Sequence, residues 1–450
     1  MKYETVIGLE VHVEMATKSK IFCSCSAEFG GEQNDHVCPA CCGMPGMLPV
    51  VNKRAVELGM TAGIMLNCDI NRVTTFDKKS YYYPDLPCSY QTTQWFAPIC
   101  VNGRVDIETS KGKKSVRIKQ IHMEEDAGKL VHDDWTDSSL VDFNRTSVPL
   151  IEIVSQPDLS SAEEVVAYLE RLRSLLRFAK VSDCRMEQGS MRCDVNLSVR
   201  PEGSTELGVR TEMKNMNSLS AIARAIEYET ARHIDALENH TEELVQETRR
   251  WDDVKEKSFS MRNKETAGDY RYFPDPNVMP IVIDDPWFDE IKASLPEFPE
   301  VKKVRYMDEY GLVEKDAANW LISDCTGILN KRQWTMDQLP VSGKALGELI
   351  KLVLDGKVSR ANAKAILAAM FDEDIDPAAY AEEKGFIMSN DTGKIEEVVK
   401  AVIAGNPKAV EDYKNGTEKA FMSLFGGCMR ELKGSCDPQV LRGILMDMLK

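Results

Sequence analysis

The sequence predicts an α+β protein: a β-rich N-terminal domain followed by all-helical middle and C-terminal tail domains. Three observations carry this. Short apolar runs alternate with turns over about the first 150 residues, amphipathic helical segments dominate after about residue 290, and a run of prolines separates the two regions. At 450 residues the chain is also longer than one core usually supports, so two or three domains are expected.

The first strand is the clearest element. In "YETVIGLEVHVE", Ile7, Leu9, Val11 and Val13 alternate with Val6, Gly8, Glu10 and His12, giving one apolar and one mostly polar face. "GRVDIETS", "KSVRIKQIHM" and "LVDFN" also read as strands, and "NKRAVELGMTAGIML" reads as a helix among them. "SSAEEVVAYLERLRSLLRFAK" then opens a long helix. Ser161 and Glu164 have capping-box spacing, and Val165, Leu169, Leu172 and Leu176 recur at helical intervals. "EQGSMRCDVNLSVRP" returns to strand before a second helix over "LSAIARAIEYETARHIDAL". Prolines from "YRYFPDPNVMPIVIDDPW" to "LPEFPEVKK" mark a boundary near residue 290. The remainder reads as helical, and Asp437-Pro438 supplies an N-cap and a first-turn proline for the last amphipathic helix. From residue 384 onward ten Lys and Arg balance nine Asp and Glu, a near-neutral tail on a chain of net charge −16.

Composition narrows the function classes. The acidic balance argues against a generic nucleic-acid binder, so any RNA contact is expected to be confined, shape-dependent or shared with a partner. The N-terminus lacks the basic and apolar regions of a signal peptide, and no apolar run reaches the roughly 18 residues of a membrane span. A cytoplasmic protein with no membrane contact is expected. Thirteen cysteines then read as thiols or metal ligands rather than disulfides. Phosphate-binding G-x-x-x-x-G-K-[ST] and G-x-G-x-x-G loops are missing, as is the G-x-S-x-G elbow of a serine hydrolase.

Several residues carry possible chemistry. Glu10 and His12 project from one strand face, as partners for a divalent cation or as wet surface. Glu152 sits among Leu150, Ile151, Ile153 and Val154, where burial requires a partner or ligand, unless it lies on the open face of an edge strand. "QIHMEEDAGK" holds Glu124, Glu125 and Asp126 in succession. The segment reads as a wet acidic turn or as a site that needs negative charge, and, if it is extended, strand alternation turns Glu125 away from His122, Glu124 and Asp126. Lys78 and Lys79 lie beside three tyrosines, to hold phosphate or RNA or to cap a packed loop. Cys23-x-Cys25 and Cys38-x-x-Cys41 have the spacing of a closed tetrahedral zinc knuckle, with Cys42 and His36 as spare ligands; a cluster of reduced thiols is the other reading. A closed site of this kind disfavours a zinc-dependent hydrolase.

In order along the chain, "YETVIGLEVHVE", "KKSYYYPDLPCSYQTTQ", "HMEEDAGK", "LVDFNRTSVPLIEIVSQPD", "QGSMRCDVNLSVRP", "KNMNS", "QETRRWDD" and "DYRYFPDPNVMP" closely resemble the B subunits of bacterial tRNA-dependent amidotransferases. The resemblance covers essentially the whole chain. It implies a catalytic cradle domain over residues 1–290, a helical domain over 291–383 and a small tRNA-contacting tail over 384–450. It also implies a heterotrimer in which ATP phosphorylates the side-chain carboxylate of misacylated Glu-tRNA(Gln) or Asp-tRNA(Asn). Ammonia from a glutaminase A subunit then displaces the phosphate, and a C subunit clamps A to B. Carried over by motif, His12, Glu125 and Glu152 are the expected catalytic Mg²⁺ ligands with Glu10 adjacent. Lys79, Glu187 and Asp194 are expected around the nucleotide or a second ion. Cys23, Cys25, Cys38 and Cys41 match the zinc-bearing members. Three features depart from the family pattern. Ser147 stands where glycine is usual, the helical domain is shorter, as if a helix pair were missing, and "MRELKGSCDP" replaces a more basic stretch. A drifted, non-catalytic tRNA-binding scaffold is the alternative that the retained His12, Glu125 and Glu152 disfavour.

Overall fold

The computed structural model describes residues 2–133, 135–263, 269–296, 301, 304–305, 307–308, 320–332, 334, 339–388, 392–414, 418–432, 435–436 and 438–449. The chain divides into two compact units, Met1–Pro296 and Glu297–Lys450.

The first unit is built on a nine-stranded sheet. Its strands, in chain order, are β1 (Tyr3–Glu14), β2 (Asp69–Ile70), then, after three short strands outside this sheet, β6 (Cys100–Thr109) and β7 (Gly112–Glu125). The three short strands are β3 (Val73–Thr74), β4 (Asp77–Ser80) and β5 (Tyr90–Thr93). A separate hairpin follows, β8 (Lys129–Asp133) and β9 (Ser138–Asp142), before β10 (Pro149–Ser155), β11 (Met191–Pro201), β12 (Thr211–Lys214), β13 (Glu247–Asp252) and β14 (Lys257–Asn263) complete the large sheet. The spatial order is β14-β13-β12-β11-β1-β10-β7-β6-β2, which puts the N-terminal strand at the centre. β15 (Phe273–Pro274) joins β4 and β5 in a second sheet, and β16 (Ile281–Val282) pairs with β3.

The pairs of the large sheet are antiparallel except β12–β13. That parallel pair needs a crossover, supplied by the helix α3 (Leu219–Asn239). Two other helices in the unit are α1 (Lys53–Met65) and α2 (Ala162–Phe178), with α4 (Asp285–Ser294) closing it. α2 packs on β6 and α3, α3 on β11 and β14, and α1 on β6 and β7. Ile7, Leu9, Val11 and Val13 of β1 are buried, each contributing about 1.5–3 kcal/mol of apolar burial. Gly8, Glu10, His12 and Glu14 on the other face are only partly covered.

Local chemistry sets the helix ends. Ser161 caps α2 by accepting from the Glu164 N–H at 3.3 Å, as the capping box predicts. The return bond differs: the Glu164 carboxylate accepts from the Ser160 N–H at 2.7 Å and from Lys114 Nζ at 2.8 Å. Lys114 on β7 therefore draws the carboxylate into a tie between helix and sheet.

In the second unit, α5 (Thr326–Arg332), α6 (Gly343–Leu354), α7 (Arg360–Met370) and α8 (Pro377–Lys384) surround Leu349, Ile350, Ile366 and Leu367. A separate apolar cluster around Val399, Leu424, Leu441 and Leu445 joins α9 (Thr392–Gly405), α11 (Glu418–Glu431) and α12 (Pro438–Leu449), and α10 (Pro407–Lys414) packs against α11. Ser342, Ser359 and Asp376 cap α6, α7 and α8 through their side-chain oxygens. The expected N-cap Asp437 and most of the shortened stretch before Trp320 lie outside the described residues.

α3 is tied to the sheet by a buried charge network. Glu229 accepts from Arg232 Nε at 2.9 Å and Ser258 Oγ, and Arg249 Nε lies 3.3 Å away. His233, fully buried, has Nε2 at 2.9 Å from Thr211 Oγ1. Burial first, then the charges of Arg232 and Arg249, lower its pKa to about 4. Between pH 4 and the ordinary value of 6.5, the unfolded chain then binds more protons at this position than the folded one. Stability from neutral His233 is thus present above pH 6.5 and lost as pH falls toward 4, a loss of about 3 kcal/mol over the window. The urea midpoint of the wild-type chain is expected to fall more steeply between pH 6.5 and 4.5 than that of His233→Gln. Parallel pH profiles would reject this assignment.

Candidate active site and cysteine cluster

The ladder around β1 assembles the site. His12 pairs with Arg192 on β11 and with Glu152 on β10, and Glu152 pairs in turn with His122 on β7. Directly paired residues of an antiparallel sheet share a face, so these four side chains form one row across four strands. Glu124 lies two residues beyond His122 and therefore on the same face.

His12 Nε2 is 3.5 Å from Glu152 Oε2 and 3.6 Å from Glu124 Oε1. His122 Nε2 is 2.9 Å from Glu152 Oε2 and 3.6 Å from Glu124 Oε2. Thr93 Oγ1 on β5 donates to Glu124 Oε2 at 3.2 Å. One ligand atom each of His12, Glu124 and Glu152 lies within 4.8 Å of the others. One imidazole and two carboxylates suit a hard divalent cation such as Mg²⁺ or Mn²⁺. Burial lowers the pKa of His122, but Glu152 and Glu124 outweigh it and raise the ring to about 10. Burial likewise opposes ionisation of Glu152, yet the two histidines hold its pKa well below the usual carboxylate range.

The structure corrects the expectation that Glu125 joins His12 and Glu152. Alternation does separate Glu125 from Glu124, but the ladder puts His12 and Glu152 on the Glu124 side. Glu125 instead accepts from the Thr92 N–H at 2.9 Å and Ser147 Oγ at 2.5 Å. It lines a cavity of about 260 Å³ together with Cys41, Cys88, Tyr90 and Asp275. Burial raises its pKa despite those two hydrogen bonds. Ser147 holds a left-handed φ of +63°.

Glu10 also falls outside the His12 group. It pairs with Asp194 and, with Glu212, forms a second acidic cluster one strand step away. Lys214 Nζ pairs with Asp194 and lies 3.5 Å from Glu212, neutralising part of that cluster. Glu187 joins neither group: it is exposed on a 3₁₀ turn, Met186–Gln188, before β11 begins. Lys79 opposes Gln91 on β5, which puts it on the face that carries Thr93 toward Glu124. Lys78 faces the other way, with Nζ 3.6 Å from Asp275. Two participants, His122 and Lys214, do not stand out in the sequence; the only signal for His122 is its place two residues before Glu124.

The four cysteines do converge. Cys23, Cys25, Cys38 and Cys41 each place Sγ within 4.8 Å of the others, and the Cys38 and Cys41 sulfurs are 3.8 Å apart. A tetrahedron with Zn–S of about 2.3 Å has edges of roughly 3.8 Å, so the sulfurs fit zinc and leave no open position. Lys20 is fully buried and donates from Nζ to Cys41 Sγ at 3.6 Å, and the Cys38 N–H donates to the same sulfur at 3.1 Å. The Cys23 thiol, then the Cys38 N–H and Lys20, outweigh burial and bring Cys41 down to about 4. Gly43 follows in a turn with φ +66°, where a Cβ would meet Cys88 Sγ at 2.7 Å. Cys42 and His36 are not part of the group.

Residues 5–289 match the GatB/GatE catalytic domain family and residues 305–449 the GatB domain family. The chain belongs to the B-subunit family of aspartyl/glutamyl-tRNA(Asn/Gln) amidotransferases, as its relatives agree. It is 50% identical over 479 positions to the family member from Caldicellulosiruptor bescii, covering 100% of both chains. It is 49% identical over 473 positions to that of Lachnoclostridium phytofermentans, covering 99% of each, and 46% identical over 477 positions to that of Carboxydothermus hydrogenoformans, covering 100% of this chain and 99% of the relative. Among the described residues, no helix is long and apolar enough to cross a membrane.

Two outcomes check the site. Glu124→Gln is expected to weaken Mn²⁺ binding about tenfold or more in calorimetric titration, with Glu125→Gln within about twofold of wild type; the reverse ranking would return Glu125 to the ion. A Cys38→Ser/Cys41→Ser chain is expected to lose about one equivalent of zinc by atomic emission, and unchanged content would end the zinc assignment.

Proposed function

We propose that this chain is the transamidating component of a three-subunit enzyme acting on Glu-tRNA(Gln), Asp-tRNA(Asn) or both. The observation that carries the reading is the convergence of His12, Glu124 and Glu152, with His122 bonded behind them. In the proposed reaction a side-chain carboxylate oxygen of the aminoacyl group attacks the γ-phosphorus of ATP and ADP leaves. Ammonia then attacks the activated carbonyl carbon, phosphate departs, and the nitrogen loses its proton to leave the amide. The ammonia comes from glutamine hydrolysed in an A subunit, and a C subunit holds A and B together.

The first step brings two anions into contact. Mg²⁺ held by His12, Glu124 and Glu152 would offset that repulsion. The chain's own residues prepare the site. Thr93 fixes one oxygen of Glu124, and His122 fixes one oxygen of Glu152, so both carboxylates are oriented before substrate arrives. Lys79 Nζ lies over the Tyr81 and Tyr270 rings, 5.4 and 4.7 Å from their centroids, and in this reading its ammonium meets phosphate. Zn²⁺ at the four cysteines is structural in this reading.

Glu152→Gln in the reconstituted complex is expected to lower amide formation on both misacylated tRNAs at least about 100-fold, while glutamine hydrolysis persists. Full amidation by this variant would make the chain a tRNA-binding scaffold.

A further inference from the structure

Two residues after Thr93, which bonds the Glu124 carboxylate, the chain exposes two large aromatic rings in succession. Trp95 is 42% and Phe96 60% exposed. Neither sits on a loose loop. Both backbone N–H groups donate to Asp77 Oδ2, at 2.7 and 2.9 Å. The preceding residue, Gln94, is fully buried and accepts from the Ile99 and Met123 N–H groups. Tyr272 stacks on Trp95 with centroids 4.4 Å apart and planes 10° from parallel. One face of the indole is thus covered, and its exposure lies on the opposite face and edges. Tyr272 is itself close to the site: after burial, Glu124 and Glu152 are the next causes that push its phenol up. A rigid, backed indole open to solvent contributes little to folding, and it stands beside carboxylates that need a substrate.

We propose that Trp95, backed by Tyr272, is the stacking platform for the unpaired base at the 3′ end of the substrate tRNA. This rests on the proposed transamidation reading. In that reading the aminoacyl group is esterified to the terminal ribose, so the terminal base lies within one nucleotide of His12, Glu124 and Glu152. Stacking on an aromatic face is how unpaired bases are commonly held, and it needs no basic surface, which suits a chain of net charge −16. It also confines the RNA contact to a small area, as the acidic balance requires.

The test uses the full three-subunit complex and an acceptor minihelix with and without its unpaired 3′ nucleotides. In the wild type, removing those nucleotides is expected to weaken binding, and Trp95→Ala should abolish the difference while Trp95→Phe keeps most of it. In amidation assays Trp95→Ala is expected to raise KM for aminoacyl-tRNA by about tenfold, within the range for loss of one stacked base, and to leave KM for ATP unchanged. A rise confined to KM for ATP would assign the ring to the nucleotide's adenine and overturn the proposal. Loss of co-migration of the three chains in gel filtration would make Trp95 a protein interface, and no change in any readout would leave it without this role. Binding that depends on both the 3′ nucleotides and Trp95, in a complex that forms no amide, would retain the stacking platform and reject the transamidation reading.

Discussion

The register of β1 between β10 and β11 governs everything else in the site. It aligns Arg192, His12, Glu152 and His122 in one row and turns Ile7, Leu9, Val11 and Val13 into the core. A slip of one residue would exchange the two faces, burying Glu10 and His12 and exposing the apolar set. Four buried aliphatic side chains at about 1.5–3 kcal/mol each make that slip prohibitive, so the same burial that stabilises the sheet also positions the chemistry.

Gathering carboxylates on one face creates a repulsion that the surrounding charges offset. His12 and His122 face Glu152 and Glu124, Arg192 donates to Asp126 at 2.6 Å, and Lys214 holds Asp194 and Glu212. Burial opposes ionisation of Asp126, but Arg192 and Arg145 keep it below the usual range. Glu14, next to Asp126, takes the opposite course: burial and that neighbouring carboxylate raise it to about 8. Each cation is placed where a strand partner or the next loop can supply it. The acidic site is therefore an arrangement of the whole central sheet.

The strand pair β4–β5 divides two environments by the same alternation. Lys79, Gln91 and Thr93 face the His12 row, whereas Lys78, Tyr90 and Thr92 face the cavity that holds Glu125 beside the cysteine cluster. Adjacent glutamates in "EED" thus serve different surroundings, one among imidazoles and one against Ser147 and Thr92. Ser147 accepts a left-handed backbone, at about 1–2 kcal/mol for a residue with a Cβ, and in return supplies a hydroxyl to Glu125.

Periodicity, spacing and motif were enough for the α+β class, the apolar face of β1, the cap at Ser161, the convergence of four cysteines and the family. Each of these follows from a pattern local to a strand, a turn or a motif, where the chain's order acts directly. The same patterns singled out His12 and Glu152, which do converge, but preferred Glu125 to Glu124. Alternation within one strand says that two residues face apart, and not which face a distant strand presents. That choice was made by strand order and register in three dimensions. They brought β7 beside β10 and β10 beside β1, set His122 and Glu124 with His12, moved Glu10 and Asp194 into a neighbouring cluster with Lys214, and left Glu187 on an exposed turn. Hydrogen bonding between strands far apart in the chain is a long-range choice, and no local pattern encodes it.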